Sequence, residues 1–226
     1  MATGSFWGGR LTGSVVRPGT ETQRASDGAL LSFLGPTASG DTKFSIGTAQ
    51  NVNPGFDPDS GLRWGRWSGG SADAGGTALD LASQSLHWIY GPESASAPAI
   101  QRTGTVSFAL VGNTNPTDAR GNVGFLGSAT LTADFSNFAV NSALSLSVNN
   151  DVWNASGSGA LDASGVNFNG NYSTVTRNQQ SGSGNFAGFI VPGATPDALP
   201  AGAGMGYSLE QGGNTVSGSA AFGKPK

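Results

Sequence analysis

Apolar and polar residues alternate along the chain with a period of two, most clearly over residues 129–148. Successive side chains of a β-strand point to opposite faces, so this alternation predicts strands with one apolar face. At Asn149, Asn150 and Asp151 the chain has residues that tolerate a positive φ angle, which predicts a tight hairpin turn. A further alternating segment begins at Trp153. We therefore expect three consecutive antiparallel strands that form a meander.

The same alternation recurs on both sides of this meander, and breaks at Gly, Asn and Pro separate the segments. We count eight to ten short strands with one apolar face. A sheet of such strands is expected to close, because closure pairs the backbone N–H and C=O groups at its two edges. We expect an all-β fold with a single eight-stranded antiparallel meander barrel. Its other predicted strands lie at 62–67, 86–90, 105–111, 166–172, 184–191, 203–209 and 216–222.

The predicted apolar face is bulky enough to fill a small barrel, although a hollow carrier of the lipocalin type is an alternative. A barrel in an outer membrane would carry its apolar side chains outward on strands of roughly 9–11 residues. Because the predicted strands are mostly shorter and their polar faces hold Ser, Thr and Asn, we favour an apolar interior. The expected interior residues are Phe108, Phe125, Leu131, Phe135, Leu144, Leu146, Trp153, Phe168 and Phe186.

The first sixty residues have a different texture, with four prolines and only two short predicted strands. We divide the chain into a strand-containing N-terminal segment, 1–61, and a barrel domain, 62–226. Residues 77–86 are the best candidate for a helix, and they suit an irregular entry to a strand equally well. Many of the 37 glycines fall on predicted strands. There they permit the bends that a closed sheet requires or a close approach of backbone.

Composition excludes several classes of function. Only 11% of the 226 residues are charged, the formal net charge is −3, and the basic residues do not form a stripe, so a nucleic-acid partner is not expected. The chain has no cysteine, which excludes thiol catalysis, thiolate metal sites and disulfides. It has no apolar run near the ~18 residues of a membrane helix. The first five residues have neither the basic region nor the apolar core of a signal peptide, and we expect the chain to be part of a longer natural protein.

Candidate catalytic and metal-binding chemistry is sparse. His87 is the single histidine and is expected to be a structural residue rather than a base or a ligand. The Asp57–Gly61 segment has the spacing of a calcium loop but no downstream carboxylate in register, so an Asx turn is expected. Asp134 with Asp151 is one example of two carboxylates that could do acid–base work together, but turn and strand-edge roles are favoured for both. We therefore predict no enzyme, no cofactor and no metal.

Aromatic residues mark the candidate ligand-binding positions. Trp64 and Trp67 are three apart, so on a strand they point to opposite sides, and one is expected to pack outside the barrel core. His87 and Tyr90 complete the candidate set. The polar loops at 68–78, 112–122 and 174–182 are candidates for binding a partner.

Short motifs resemble a known family. Residues 64–67 (WGRW) and 86–92 (LHWIYGP) resemble the start of the barrel that ends many bacterial FecR-domain envelope proteins. The GNFAG, GAGMG and GSAAFG motifs at 184–188, 202–206 and 218–223 resemble the barrel of transferrin-binding protein B. The resemblance implies an eight-stranded barrel on an exported bacterial protein. The chain has neither a lipid-anchor cysteine nor a repeated second lobe, so transferrin binding itself does not follow.

Two functions follow from the resemblance. The first is a non-enzymatic binding module of an exported Gram-negative protein, at the cell surface or in the periplasm. Its barrel-end loops would hold a host protein, a haem or metal carrier, or a glycan. The alternative is a structural or secretion-recognition barrel at the C-terminus of a larger FecR-type signalling protein, whose partner is the upstream part of its own chain.

Overall fold

The computed structural model describes residues 4–8, 11–16, 22–37, 40–92 and 100–224, and the side chains of 22–34, 42–92 and 100–224. Every regular element in these ranges is a β-strand, and no helix in them is long and apolar enough to cross a membrane. The possible helix at 77–86 is instead a short strand followed by a bend and a second strand.

The first ten strands form two five-stranded antiparallel sheets. We name these the inner sheet, with order β2-β1-β10-β7-β6, and the outer sheet, with order β3-β4-β5-β8-β9. The strands are β1 (Gly4–Gly8), β2 (Leu11–Val16), β3 (Gln23–Arg24), β4 (Leu30–Thr37), β5 (Gly40–Ser45), β6 (Gln50–Phe56), β7 (Arg63–Ser68), β8 (Ser71–Ala74), β9 (Thr77–Asp80) and β10 (Ser85–Tyr90).

The remaining strands build the barrel. They are β11 (Thr105–Asn113), β12 (Thr117–Asp118), β13 (Phe125–Asp134), β14 (Ala139–Val148), β15 (Asp151–Leu161), β16 (Asn167–Arg177), β17 (Gln180–Ser181), β18 (Ser183–Val191), β19 (Gly202–Gln211) and β20 (Asn214–Gly223). Eight of them follow the order β11-β13-β14-β15-β16-β18-β19-β20, and β11 pairs with β20 to close the sheet. β12 and β17 are two-residue additions to β20 and β16. The predicted all-β fold with an eight-stranded antiparallel barrel is confirmed.

The predicted meander is confirmed in β13, β14 and β15. Its second turn has Asn149 and Asn150 at φ angles of 50° and 68°, the left-handed conformation that a two-residue hairpin turn requires. Asp151 then pairs with Val148 and opens β15.

Two predicted strands do not belong to the barrel. The segments 62–67 and 86–90 were expected to open it, but β7 and β10 pair with each other in the inner sheet. That assignment was wrong because alternation identifies a strand without identifying its partner. The division of the chain into domains at residue 61 stays a prediction.

The barrel interior holds a continuous cluster of buried side chains, among them Leu131, Trp153, Phe168, Phe186 and Phe222. Eight of the nine predicted interior residues belong to this cluster. The exception is Phe125, which is 65% exposed. A bulge between Leu126 and Ser128 inserts one residue into β13, so the alternation changes phase and Leu126 faces inward instead.

The three sheets stack as layers. The outer and inner sheets enclose a second cluster, which contains Phe33, Phe44, Trp67, Trp88 and Tyr90. A third cluster lies between the inner sheet and the outside of β18, β19 and β20. We call these three strands the covered wall of the barrel, and β13, β14 and β15 the free wall.

Glycines in the covered wall allow this close packing. A Cβ atom on Gly204 would lie 2.6 Å from the ring of Phe189 and 3.2 Å from Ile89 of the inner sheet. A Cβ atom on Gly202 would lie 2.8 Å from the Cβ of Ser60. Real Cβ atoms do not approach heavy atoms this closely, so these two glycines give room to neighbouring side chains and to the inner sheet.

Candidate functional site

The four predicted ligand-binding residues lie on two adjacent strands of the inner sheet. β7 carries Trp64 and Trp67, and β10 carries His87 and Tyr90. The two strands pair directly, with Trp67 opposite Leu86, the residue before His87. All four side chains are buried. Their role in ligand binding stays a prediction.

The two tryptophans lie on opposite faces of the inner sheet, as the alternation predicts. Trp67 faces the outer sheet, where its Nε1 donates a hydrogen bond to the carbonyl of Leu30 at 2.9 Å. Trp64 faces the barrel and packs so closely over Gly112 that a Cβ atom there would lie 2.1 Å from its ring. Each ring therefore joins two layers of the fold.

Tyr90 also serves the contact between inner and outer sheets. Its hydroxyl donates to the carbonyl of Gly28 at 2.5 Å, and the Arg24 guanidinium lies 4.5 Å from its ring centroid. Trp88 stacks beside it with 5.7 Å between ring centroids. The polar and the aromatic parts of Tyr90 thus both have protein partners.

His87 faces the barrel and is completely buried. Its Nδ1 lies 2.6 Å from the Thr114 hydroxyl and its Nε2 lies 2.8 Å from the Thr117 hydroxyl, both on the segment that follows β11. Burial, and secondarily the charge of Arg66, lowers the pKa of His87 to about 3. The imidazole is therefore neutral near pH 7, and both of its nitrogens are occupied by structural hydrogen bonds.

Arg66 lies directly opposite His87 in the β7–β10 register and on the same face of the sheet. The residue is only 6% exposed. One terminal nitrogen donates to the Ser85 hydroxyl at 2.9 Å, whereas the buried Nε has no hydrogen-bond partner. Burial lowers the pKa of Arg66.

We call Arg66, Ser85, His87, Thr114 and Thr117 the seam cluster, because these side chains lie where the inner sheet meets the barrel. His87 was a predicted site residue, and Thr114 and Thr117 lie in the predicted binding loop 112–122, whereas Arg66 and Ser85 were not predicted. The signal for Arg66 was its alternation with Trp64, which puts a cation on a face expected to be packed. The two threonines had no such signal, because their contact with His87 depends on the tertiary fold.

Two of the three predicted binding loops lie at the same end of the barrel, which we call the loop end. The first spans 112–122 and joins β11 to β13, and the second spans 174–182 and joins β16 to β18. Most of the third candidate, 68–78, belongs to a hairpin of β8 with β9 in the outer sheet. A Cβ atom on Gly121 would lie 3.1 Å from the backbone of Ser83, so the first loop also packs against the segment leading into β10.

Three large apolar side chains are exposed at the loop end. Val123, Phe125 and Val152 are 50%, 65% and 49% exposed. Phe125 of β13 and Val152 of β15 both pair with Ser147 of β14, so they lie on the two strands that flank β14, on the outer face of the free wall. We call these three residues the rim patch.

The candidate carboxylates serve turns and ion pairs. Asp57 accepts hydrogen bonds from the backbone N–H and the hydroxyl of Ser60, three residues further along the chain, so its carboxylate serves the local turn. Asp134 caps its own turn, and the side-chain hydrogen bond from Asn137 lowers its pKa. Asp151 pairs with Arg177 at 2.6 Å, and this contact lowers the pKa of Asp151.

Asp134 and Asp151 lie at opposite ends of the barrel strands, so they do not form an acid–base pair. Among the residues that the structure describes, no three His, Asp or Glu side chains are grouped so that they could hold a metal ion.

Comparison with known proteins informs the fold. No protein-family model matches the chain, and no curated protein sequence matches it. Thirteen chains of solved structures are similar. One is intact Ap-TbpB with its N and C lobes, with a TM-score of 0.51 and 12% identity over 99% of this chain and 46% of that chain.

Another is a tryptophan-to-alanine mutant of the vaccine antigen transferrin binding protein B from Haemophilus parasuis. Its TM-score is 0.47, with 12% identity over 100% of this chain and 46% of that chain. The chain thus spans less than half the length of either neighbour. At this identity, the similarity to Ap-TbpB shows that the chain shares the fold of TbpB lobes, as the sequence motifs in the barrel predicted.

Proposed function

We propose that the chain is a non-enzymatic binding module of an exported bacterial protein, and that it holds a partner protein at the loop end of its barrel. The observation that carries this proposal is the rim patch. Three large apolar side chains at one end of the barrel, each about half exposed or more, cost free energy in water that a protein partner would recover by covering them.

The loops around the patch are ordered by their own hydrogen bonds. In the first loop, the Asp118 carboxylate accepts bonds from the backbone N–H groups of Arg120 and Asn122 and from the Asn122 amide. A loop held in one conformation loses little entropy when it binds. The loop end therefore combines an apolar surface with a preorganised border.

The packed interior favours a ligand on the outside of the barrel. Bulky side chains from all eight strands meet in the interior cluster, where Trp153, Phe168 and Phe186 are almost completely buried. The neutral, doubly hydrogen-bonded state of His87 supports the non-enzymatic part of the proposal, because a general base needs a free nitrogen and a pKa near the working pH.

The test compares substitutions at the two ends of the barrel. The purified chain is immobilised and exposed to a panel of purified serum proteins, with transferrin among them. We expect one of them to bind saturably and its affinity to fall at least about tenfold in Phe125→Ser, because the exposed ring supplies contact area. Phe138→Ser is the matched control, since Phe138 is 44% exposed at the opposite end of the barrel.

Equal binding by the wild type, Phe125→Ser and Phe138→Ser, or no binding by any of them, would contradict the proposal. Export is tested separately by labelling intact cells with an impermeant reagent. Labelling of the chain without cell lysis is expected, and protection from the reagent would contradict a surface location.

A structural role at the end of a larger FecR-type envelope protein is the second candidate function. The filled interior supports it, because a barrel packed with side chains can act as a stable unit without a ligand. In that case deletion of the barrel would abolish export of the full-length protein, whereas Phe125→Ser would leave both export and function unchanged.

A further inference from the structure

Arg66 is a buried cation whose donors are largely unused. Arginine has five N–H donors, and burial of a charge costs free energy unless the charge is paired and hydrogen-bonded. Among the residues that the structure describes, the Arg66 side chain makes one hydrogen bond, to the neutral hydroxyl of Ser85. Its Nε is buried without a partner.

Acidic residues of the outer sheet and of the first loop bind hydrogen-bond donors of their own turns. Asp73 accepts the N–H of Gly76, and Asp80 accepts the N–H of Ala82. Asp118 binds three donors of its own loop. Within the described ranges, no carboxylate forms a hydrogen bond or ion pair with the Arg66 side chain, and burial lowers the pKa of Arg66.

The polar groups around Arg66 also lack a negative charge. His87, its neighbour in register, is neutral and bonded to two threonines. Ser219 of β20 donates its backbone N–H to the Thr114 hydroxyl, and the Oγ of Ser219 is buried without a hydrogen-bond partner. The seam cluster therefore has an excess positive charge and an excess of hydrogen-bond donors.

We propose that Arg66 is the anchor of a small-oxyanion site at the seam between the inner sheet and the barrel, and that it binds a carboxylate or phosphate group. A guanidinium binds such groups through two parallel N–H donors, and Nε with one terminal nitrogen forms the required fork. The anion supplies the missing counter-charge, and it accepts the hydrogen bond that Nε does not make within the protein. This site is independent of the rim patch and of the proposed partner protein.

The test follows the Arg66 Nε–H signal by NMR in the whole chain, with phosphate and acetate titrated separately and ionic strength held constant with sodium chloride. Loss of one arginine signal in Arg66→Lys assigns the resonance. We expect a saturable shift with a dissociation constant on the order of 1 mM. Saturation by phosphate alone or by acetate alone identifies which oxyanion the site prefers.

Arg120→Met is the matched control, since Arg120 is an exposed arginine on the adjacent loop. We expect this variant to retain the saturable shift and the rise in Tm with anion concentration. In Arg66→Met the anion-dependent rise in Tm is expected to disappear. A wild-type Nε signal that does not shift, or that shifts linearly in parallel with exposed arginines, would overturn the proposal even if Arg66→Met failed to fold.

Discussion

The two walls of the barrel differ in what covers their outer faces. On the free wall, β14 alternates regularly between buried residues and residues that are partly or fully exposed. On the covered wall, β20 has eight consecutive buried residues, because the inner sheet packs against its outside. The two walls belong to one sheet, so the difference arises from the neighbouring layer and not from the strands themselves.

This difference also appears in residue size. The outward positions of the covered wall include Gly202, Gly204 and Ala221, and small residues bring the inner sheet close to the barrel backbone. The outward positions of the free wall include Thr132 and Ser145, which no neighbouring sheet covers. A buried outward position is thus filled by small or apolar residues, and an exposed one by hydroxyl side chains.

The largest effect is expected from removing a large side chain on each wall. Phe189 faces outward from the covered wall and is 1% exposed. Phe189→Ala should lower the free energy of unfolding by about 3–5 kcal/mol, since it leaves a cavity between layers. Phe125→Ala on the free wall should change it by less than about 0.5 kcal/mol. Urea unfolding measures both, and equal losses would show that the two walls are not differently packed.

A smaller effect is expected from adding a side chain. Gly204→Val would force a Cβ atom against Phe189 and Ile89, and overpacking of this kind should cost about 1–3 kcal/mol. Ser145→Val, at an outward position of the free wall, should be close to neutral because no layer covers it. A neutral Gly204→Val would mean that the inner sheet does not press against the barrel as described.

The last expected effect is a pH dependence that arises where the barrel is covered. The folded-state pKa of His87, about 3, lies below its ordinary value near 6.5, so the unfolded chain binds more protons between these two values. Stability should therefore rise with pH across this window, and fall by about 2 kcal/mol between pH 6.5 and pH 4.5. Urea unfolding at several pH values measures the slope.

The control for this pH dependence is His87→Gln, which removes the titrating group. Its stability should be almost independent of pH above about 4.5, because hydrogen bonds lower the pKa values of Asp134 and Asp151 and these carboxylates titrate below that range. A wild-type slope that persists unchanged in this variant would mean that a group other than His87 causes it.

The alternation of apolar and polar residues predicted most strands of the barrel, but it did not predict which strands pair with each other. The meander of β13, β14 and β15 was predicted because each strand is covered on one face only, and that is where the period-two pattern is strongest. Phe125 was placed on the wrong face, since the bulge near Ser128 has no clear signature in a single sequence. Residues 62–67 and 86–90 were recognised as strands and assigned to the wrong sheet.

The candidate sites show the same limit. His87 was expected to be structural, and its two threonine contacts agree with that expectation. Arg66 was missed because the missing counter-charge can be recognised only when the surrounding residues are known. The rim patch was missed because Phe125 was assigned to the core and Val152 was not considered.

By itself, the sequence determined an all-β chain, an apolar barrel interior and tight turns, because side-chain alternation and positive-φ residues are local properties. Only the tertiary structure decided which strands close the barrel, which wall is covered, and that a buried arginine faces a neutral histidine. Those features depend on contacts between residues far apart in the chain, and no local pattern specifies which distant strands will meet.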